Sequence, residues 1–153
     1  TLHLLFPRKY SIYSLDGEEL VSGISMWCLI SRKTRQPILP DKHGIVIKGN
    51  DFSRKDSIPN RISDKNSVFI EKRKIRYSDL DINGHLNNAR YLDWIDDIIQ
   101  EYFPKDSEYH SFTINYLEEA VMDDIVDIYI NKDEKTIIGK KKEKNVFAFS
   151  FSK

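Results

Sequence analysis

The chain has 153 residues, with 24 Lys plus Arg against 24 Asp plus Glu and a formal net charge of zero, so it lacks the global positive field of a nonspecific nucleic-acid binder. Its 40% hydrophobic and 12% aromatic content suffices for the core of one domain, or one domain plus a remnant. Cys28 is the only cysteine, which excludes an intramolecular disulfide or a cysteine-rich metal site and is compatible with a reducing cytoplasm.

The opening Leu-His-Leu-Leu-Phe is too short for a signal-peptide core, and no segment approaches the roughly 20 apolar residues that span a bilayer. Residues 10–14 alternate, Asp16-Gly17 signals a tight turn, and residues 18–30 resume an extended pattern through Val21, Ile24, Trp27 and Leu29, which predicts a hairpin. Within it Trp27 reads as core packing and Cys28 as a small buried apolar residue. A short strand is expected over 44–48. The stretch 49–67, rich in Asp, Ser, Arg, Lys and Asn with one proline, has the composition of a solvated linker. A strand over 68–77 follows, then a polar turn and a helix.

The helix is expected over 88–103, because Leu92, Ile95, Ile98, Ile99 and Tyr102 recur at spacings of three and four, leaving Asp93, Asp96, Asp97 and Glu101 to other faces. Asn87 and Asn88 are N-cap candidates and Pro104 stops the pattern. At roughly 1.5 Å per residue the helix runs about 24 Å, enough to cross a small sheet. Strands are then expected over 110–117, 125–131, 136–139 and 146–151, the last with Phe147, Phe149 and Phe151 on one face and Ala148 and Ser150 on the other. Strands without intervening helices favour antiparallel pairing, so the fold class is α+β, an antiparallel sheet wrapped around a long central helix.

The turn between strand and helix reads Asp-Leu-Asp-Ile-Asn-Gly-His and gathers Asp81, Asn83 and His85. A carboxylate, an amide and an imidazole are placed where free backbone N–H groups and the positive end of a helix dipole can stabilise developing negative charge. The bland alternative is that these are turn and capping residues, which Asx side chains and glycine supply in many proteins. His3, His43 and His110 have no ligand-like spacing with other His, Cys or carboxylate groups, so no metal or cofactor is expected. Lys72-Arg73-Lys74 and Lys140-Lys141-Lys142 read as solvated faces.

The run Asp-Leu-Asp-Ile-Asn-Gly-His-Leu-Asn-Asn-Ala-Arg-Tyr-Leu-Asp-Trp-Ile from Asp79 resembles the signature of the acyl-acyl-carrier-protein thioesterases, which have the hot dog fold. Trp27-Cys28-Leu29-Ile30 followed by Thr34-Arg35 is similar to a segment ending the first half of those enzymes. The resemblance implies a partial first hot dog over 1–48, reduced to its late strands, a linker over 49–67, and a second hot dog over 68–153 that carries the catalytic set. It assigns that set to Asp81, Asn83, His85 and, downstream, Glu119, with neighbouring Glu118 as the competing carboxylate. Where plant members have a cysteine once proposed as nucleophile this chain has Ala120, which excludes that mechanism here. The front half lacks the helix of a whole hot dog, and the chain opens on Thr1; either the chain is incomplete or an exposed edge is covered by another chain.

The activity implied is hydrolysis of acyl carrier protein thioesters to free fatty acid and carrier thiol in the cytoplasm. Either Asp81 attacks the thioester or Glu119 activates the attacking water; Asn83 donates to the carbonyl oxygen or orients Asp81, and His85 exchanges a proton. The implied partner is acyl carrier protein, with Lys72, Arg76 and Arg90 as docking charges. Two alternatives stand beside it: a single hot dog thioesterase acting on acyl-CoA, and a non-catalytic acyl-binding hot dog protein. A hot dog hydratase is set aside because its Asp and His are five apart across a proline, whereas Asp81 and His85 are four apart across a glycine. A homodimer, or a pseudo-dimer of hot dog domains, is expected because an open sheet edge needs a partner.

Overall fold

The computed structural model describes residues 4–34, 36–46 and 59–153. The chain divides into two compact units, residues 1–59 and 60–153. Among the described residues no helix is long and apolar enough to cross a membrane.

In the first unit β1 (Phe6–Tyr13) and β2 (Glu19–Trp27) form the expected antiparallel hairpin, in register from Phe6 opposite Trp27 to Tyr13 opposite Glu19. The turn closes through Ser14, whose N–H reaches the Glu18 carbonyl at 2.8 Å, with Gly17 left-handed at φ 88°, a conformation that costs glycine little. Trp27 and Cys28 are both exposed rather than buried. The expected burial of these two residues fails because, among the described residues, this unit offers only a two-stranded ribbon and short turns, and burial needs a second layer. The Trp27 ring instead carries the Arg8 guanidinium 4.6 Å from its centroid and donates Nε1–H to Ser25 Oγ. No strand forms over 44–46: Pro40–His43 is a turn of 3₁₀ helix, Gly44 is left-handed, and the Ile45 N–H closes onto the Pro40 carbonyl. Residues 47 and 48 of that expected strand, Arg35, His3 and most of the expected linker lie outside the described residues.

The second unit holds a five-stranded antiparallel sheet in the order β3 (Val68–Lys74), β5 (Ile125–Asn131), β6 (Thr136–Lys141), β7 (Lys144–Ser152), β4 (Ser111–Tyr116). One face packs on α1 (Asn88–Tyr102). The strand expected to run to 77 stops at Lys74, because Ile75 turns into the core and the Arg76 N–H is taken by the Asp79 carboxylate at 2.8 Å, which winds Tyr77–Asp79 into a 3₁₀ turn. β6 and β7 are longer than their apolar patterns, since Lys142 and Glu143 both adopt left-handed φ, 48° and 66°, and close a two-residue turn with no glycine or asparagine to announce it.

The helix buries Tyr91, Trp94, Ile95, Ile98 and Ile99 against Val126, Ile128, Ile137, Phe147 and Phe149. Leu92 and Tyr102, expected in the core, are only half-buried at its margin. Asn87 is the N-cap, its Oδ1 accepting from the Ala89 N–H at 3.0 Å, and Pro104 follows the cap residue Phe103. Across the sheet Ile138 and Ala148 are buried register partners outside that core cluster. Part of the stretch expected as a solvated linker is bonded to this unit: the Ile62 N–H to Asn115 Oδ1, Asp64 to Lys140 at 3.0 Å and to Asn145, and the Lys65 carbonyl to Asn131. A polar strand-facing side chain every few residues suffices to tie down a segment that has almost no apolar content of its own.

Candidate active site

Asp81 organises the turn by hydrogen bonds to its own neighbours. Its Oδ1 accepts the N–H of Asn83 at 2.8 Å and of His85 at 3.2 Å, and Oδ2 lies 3.4 Å from the Asn83 amide nitrogen. The Asp81 N–H donates to the His85 carbonyl at 2.8 Å, and the Gly84 N–H to the Asp81 carbonyl. Gly84 sits at φ 77°, so a Cβ there would be strained. Burial pushes the Asp81 carboxyl up, but the His85 and Asn83 N–H groups, the Asn83 amide and the His85 charge outweigh it and hold it below the usual carboxylate value.

This geometry changes one expectation. The N–H groups of Asn83, Gly84, His85, Leu86, Asn87, Ala89 and Arg90 all have intramolecular acceptors, so these donors are not open to an oxyanion. The Asn83 amide, on an exposed residue, has a second N–H besides the one within reach of Asp81 Oδ2, and Ile82 is fully exposed beside it.

The turn is fixed to the segment between β4 and β5. The Leu86 N–H donates to the Ala120 carbonyl at 2.8 Å, and His85 and Val121 form an antiparallel bridge. That pairing brings Glu119 Oε2 to 3.5 Å from His85 Nε2, with the two side chains 53% and 27% exposed. Glu118 points elsewhere, to Lys144 Nζ at 3.2 Å. Of the two adjacent carboxylates, Glu119 is therefore the one beside the imidazole. The four expected residues come together as one turn plus one carboxylate from the connection between β4 and β5.

Beneath the site Tyr91 makes edge-on contacts with Trp94, Tyr116 and Phe147. Burial and the neighbouring Tyr116 push its phenol up to about 12, so it packs as a neutral ring and does not donate protons near neutrality. Tyr116 donates its hydroxyl to the Asn88 carbonyl at 3.2 Å, tying β4 to the start of the helix. Two side chains around the site carried no local sequence signal. Lys141, read as part of a solvated cluster, donates to the Glu119 carbonyl at 3.1 Å and to Asp124 Oδ2 at 2.8 Å. Asp124 accepts the Val121 N–H at 2.9 Å. Of the expected docking cations, Lys72 pairs with Asp127 and Arg90 with Asp93. An apolar cleft of about 410 Å³, lined by Val68, Ile70, Tyr102, Ile130 and Lys132 among others, lies at the C-terminal end of α1, roughly the length of the helix from the turn.

A family model described as the acyl-ACP thioesterase C-terminal domain matches residues 62–151. The chloroplastic dodecanoyl-[acyl-carrier-protein] hydrolase of Cinnamomum camphora is 35% identical over 122 residues, 72% of this chain and 31% of that protein. Oleoyl-acyl carrier protein thioesterase 2 of Arabidopsis thaliana is 26% identical over 124 residues, 72% of this chain and 34% of that protein. The chain thus spans about a third of the length of the curated relatives it matches. Among solved structures, an acyl-ACP thioesterase from Bacteroides thetaiotaomicron has a TM-score of 0.81 at 24% identity, covering 97% of this chain and 63% of that one. The 12:0-ACP thioesterase from Umbellularia californica has a TM-score of 0.72 at 18% identity, covering 99% and 63%. The fold is the hot dog fold expected from the sequence.

Proposed function

The chain belongs to the acyl-ACP thioesterase family, whose C-terminal domain matches residues 62–151, and from that premise we propose that the protein hydrolyses acyl thioesters of acyl carrier protein to free fatty acid and carrier thiol, a step that ends fatty acid synthesis. The observation that carries the reading is the meeting of Glu119 with His85, at 3.5 Å, beside a turn locked by Asp81.

Glu119 is the general base. It takes a proton from water as the water oxygen attacks the thioester carbonyl carbon, while the Asn83 amide donates to the carbonyl oxygen. The carbon–sulfur bond then breaks with its electron pair on sulfur, and the proton held by Glu119 passes to the thiolate, leaving acid and thiol. His85 orients the carboxylate throughout. Asp81 is the weaker nucleophile of the two carboxylates, because its Oδ1 is occupied by two N–H groups and its basicity is lowered. Its part is to hold Asn83 and His85 in place.

The carrier is recognised at Arg76 and Arg90, which flank the turn, and Lys72 on β3; an acidic carrier would be drawn to them. The edges β3 and β4 expose Val68, Phe69 and Phe112, which supports pairing with a second hot dog domain. The lone cysteine permits a reducing compartment such as the cytoplasm.

The test is turnover of the purified full-length protein on matched acyl carrier protein and acyl-CoA substrates. Glu119→Ala and Asp81→Ala each lower kcat by about a hundredfold or more, and charge reversal at Arg76 and Arg90 raises KM for the carrier-bound substrate alone. Wild-type turnover by Glu119→Ala removes the base assignment, and equal efficiency on both carriers removes the carrier preference.

A further inference from the structure

We propose that Lys141 and Asp124 form a clamp that positions Glu119 against His85, which makes Lys141 a positioning residue of the site; this rests on the hydrolase reading above. Glu119 stands in the connection 117–124, outside the regular ladder of the sheet. Its upstream end is fixed where the Leu117 and Glu118 N–H groups both reach the Val146 carbonyl, at 2.8 and 3.2 Å. Its downstream end returns through the Asp123 and Asp124 N–H groups, to Ile75 and Val121 carbonyls. Between them the Ala120 carbonyl takes the Leu86 N–H at 2.8 Å and Val121 bridges to His85, while the Glu119 carbonyl takes a side-chain donor from the sheet.

Lys141 supplies it from the end of β6. Its ammonium touches the Glu119 carbonyl at 3.1 Å and Asp124 Oδ2 at 2.8 Å, and that same carboxylate oxygen takes the Val121 N–H at 2.9 Å. Val121 is the residue that bridges to His85. One ammonium and one carboxylate thereby hold both the peptide that carries Glu119 and the strand end that meets His85. The pair is largely covered, at 22% and 23% side-chain exposure, while Lys144 beyond the same turn is 72% exposed. A lysine present only for solubility would not be drawn in this way. Although burial raises the Asp124 carboxyl, the Lys141 ammonium and the Val121 N–H bring it below its ordinary value, so the carboxylate is charged and the clamp closed at neutral pH.

The clamp differs from a merely stabilising salt bridge in what happens when Glu119 is absent. In the full-length protein Lys141→Met lowers kcat about tenfold, short of the hundredfold that a 1 Å misplacement of a reacting group can cause, and leaves KM within about twofold. In a Glu119→Ala background the same substitution has no further effect, because residues that act as a unit are non-additive. Lys141→Arg, which keeps charge and donors, restores most of the rate. Multiplying effects in the double variant, or full kcat in folded Lys141→Met, overturns the proposal. If Lys141→Met fails to fold, Asp124→Asn, which keeps an acceptor for Val121 but loses the charge that holds Lys141, runs through the same cycle. An activity-free readout separates this proposal from the functional one: the nuclear Overhauser contact between the His85 ring and the Glu119 methylenes is lost in Lys141→Met and kept in Lys141→Arg. Its persistence in Lys141→Met sinks the clamp, whereas wild-type turnover by Glu119→Ala sinks the base assignment and leaves the clamp to this measurement.

Discussion

The Asp81 carboxylate organises its own turn, accepting the Asn83 and His85 N–H groups on one oxygen. Its folded value lies below the unfolded one, near 3.8, so the stability it contributes is complete above that unfolded value and is lost as pH falls through the lower folded value. Wild type is therefore more stable than Asp81→Asn at pH 7, and the difference shrinks only below about pH 4; urea denaturation of both proteins across pH 2.5–7 checks this. The turn was legible because its hydrogen bonds span four residues and need no tertiary partner. Glu119 was not legible in that sense. Only the resemblance singled it out from Glu118, and the structure separates the two by sending one to His85 and the other to Lys144. Trp27 and Cys28 went wrong for the converse reason, since apolar residues in a strand declare a face without declaring what covers it.

At the scale of elements, the helix was placed to within a residue because its period, its Asn87 cap and Pro104 are all local signals. Its buried stripe was drawn through Leu92, Ile95, Ile98, Ile99 and Tyr102, and the structure moves it toward Tyr91 and Trp94, with the Tyr91 ring meeting Trp94, Phe147 and Tyr116 under the site. The centre of the sheet depends on Gly139, where an added Cβ would collide with the Phe147 ring and come within 2.9 Å of Val126 Cγ1. Gly139→Ala therefore costs about 1–3 kcal/mol through overpacking, read as a lower denaturation midpoint at unchanged slope. Phe147 in turn touches Tyr91, so part of that disturbance reaches the helix start. The turn at Lys142 and Glu143 was missed because its residues give no sign of the left-handed backbone they adopt.

For the whole molecule, the two units are unequal. The core cluster, from Ile75 to Phe151, lies entirely within residues 60–153, whereas the hairpin of the first unit exposes Tyr10, Ile12, Leu20, Val21 and Trp27. Residues 60–153 expressed alone are expected to unfold cooperatively on heating, monitored by circular dichroism, while residues 1–59 alone show no transition. A non-cooperative melt of 60–153 would contradict this. The sheet order carries a further consequence. β5, β6 and β7 are joined by short turns and pair with their sequence neighbours, but β3 and β4 must each find a distant strand, β5 and β7 respectively, and such long loops close late. The turn with Asp81 follows β3 and the segment with Glu119 follows β4. The protein therefore assembles its meander before the Asp81 turn meets Glu119, and amide exchange should find β6 the slowest to open and the turn and the 117–124 connection the first to come apart, so that a partly unravelled molecule has already lost the proposed site.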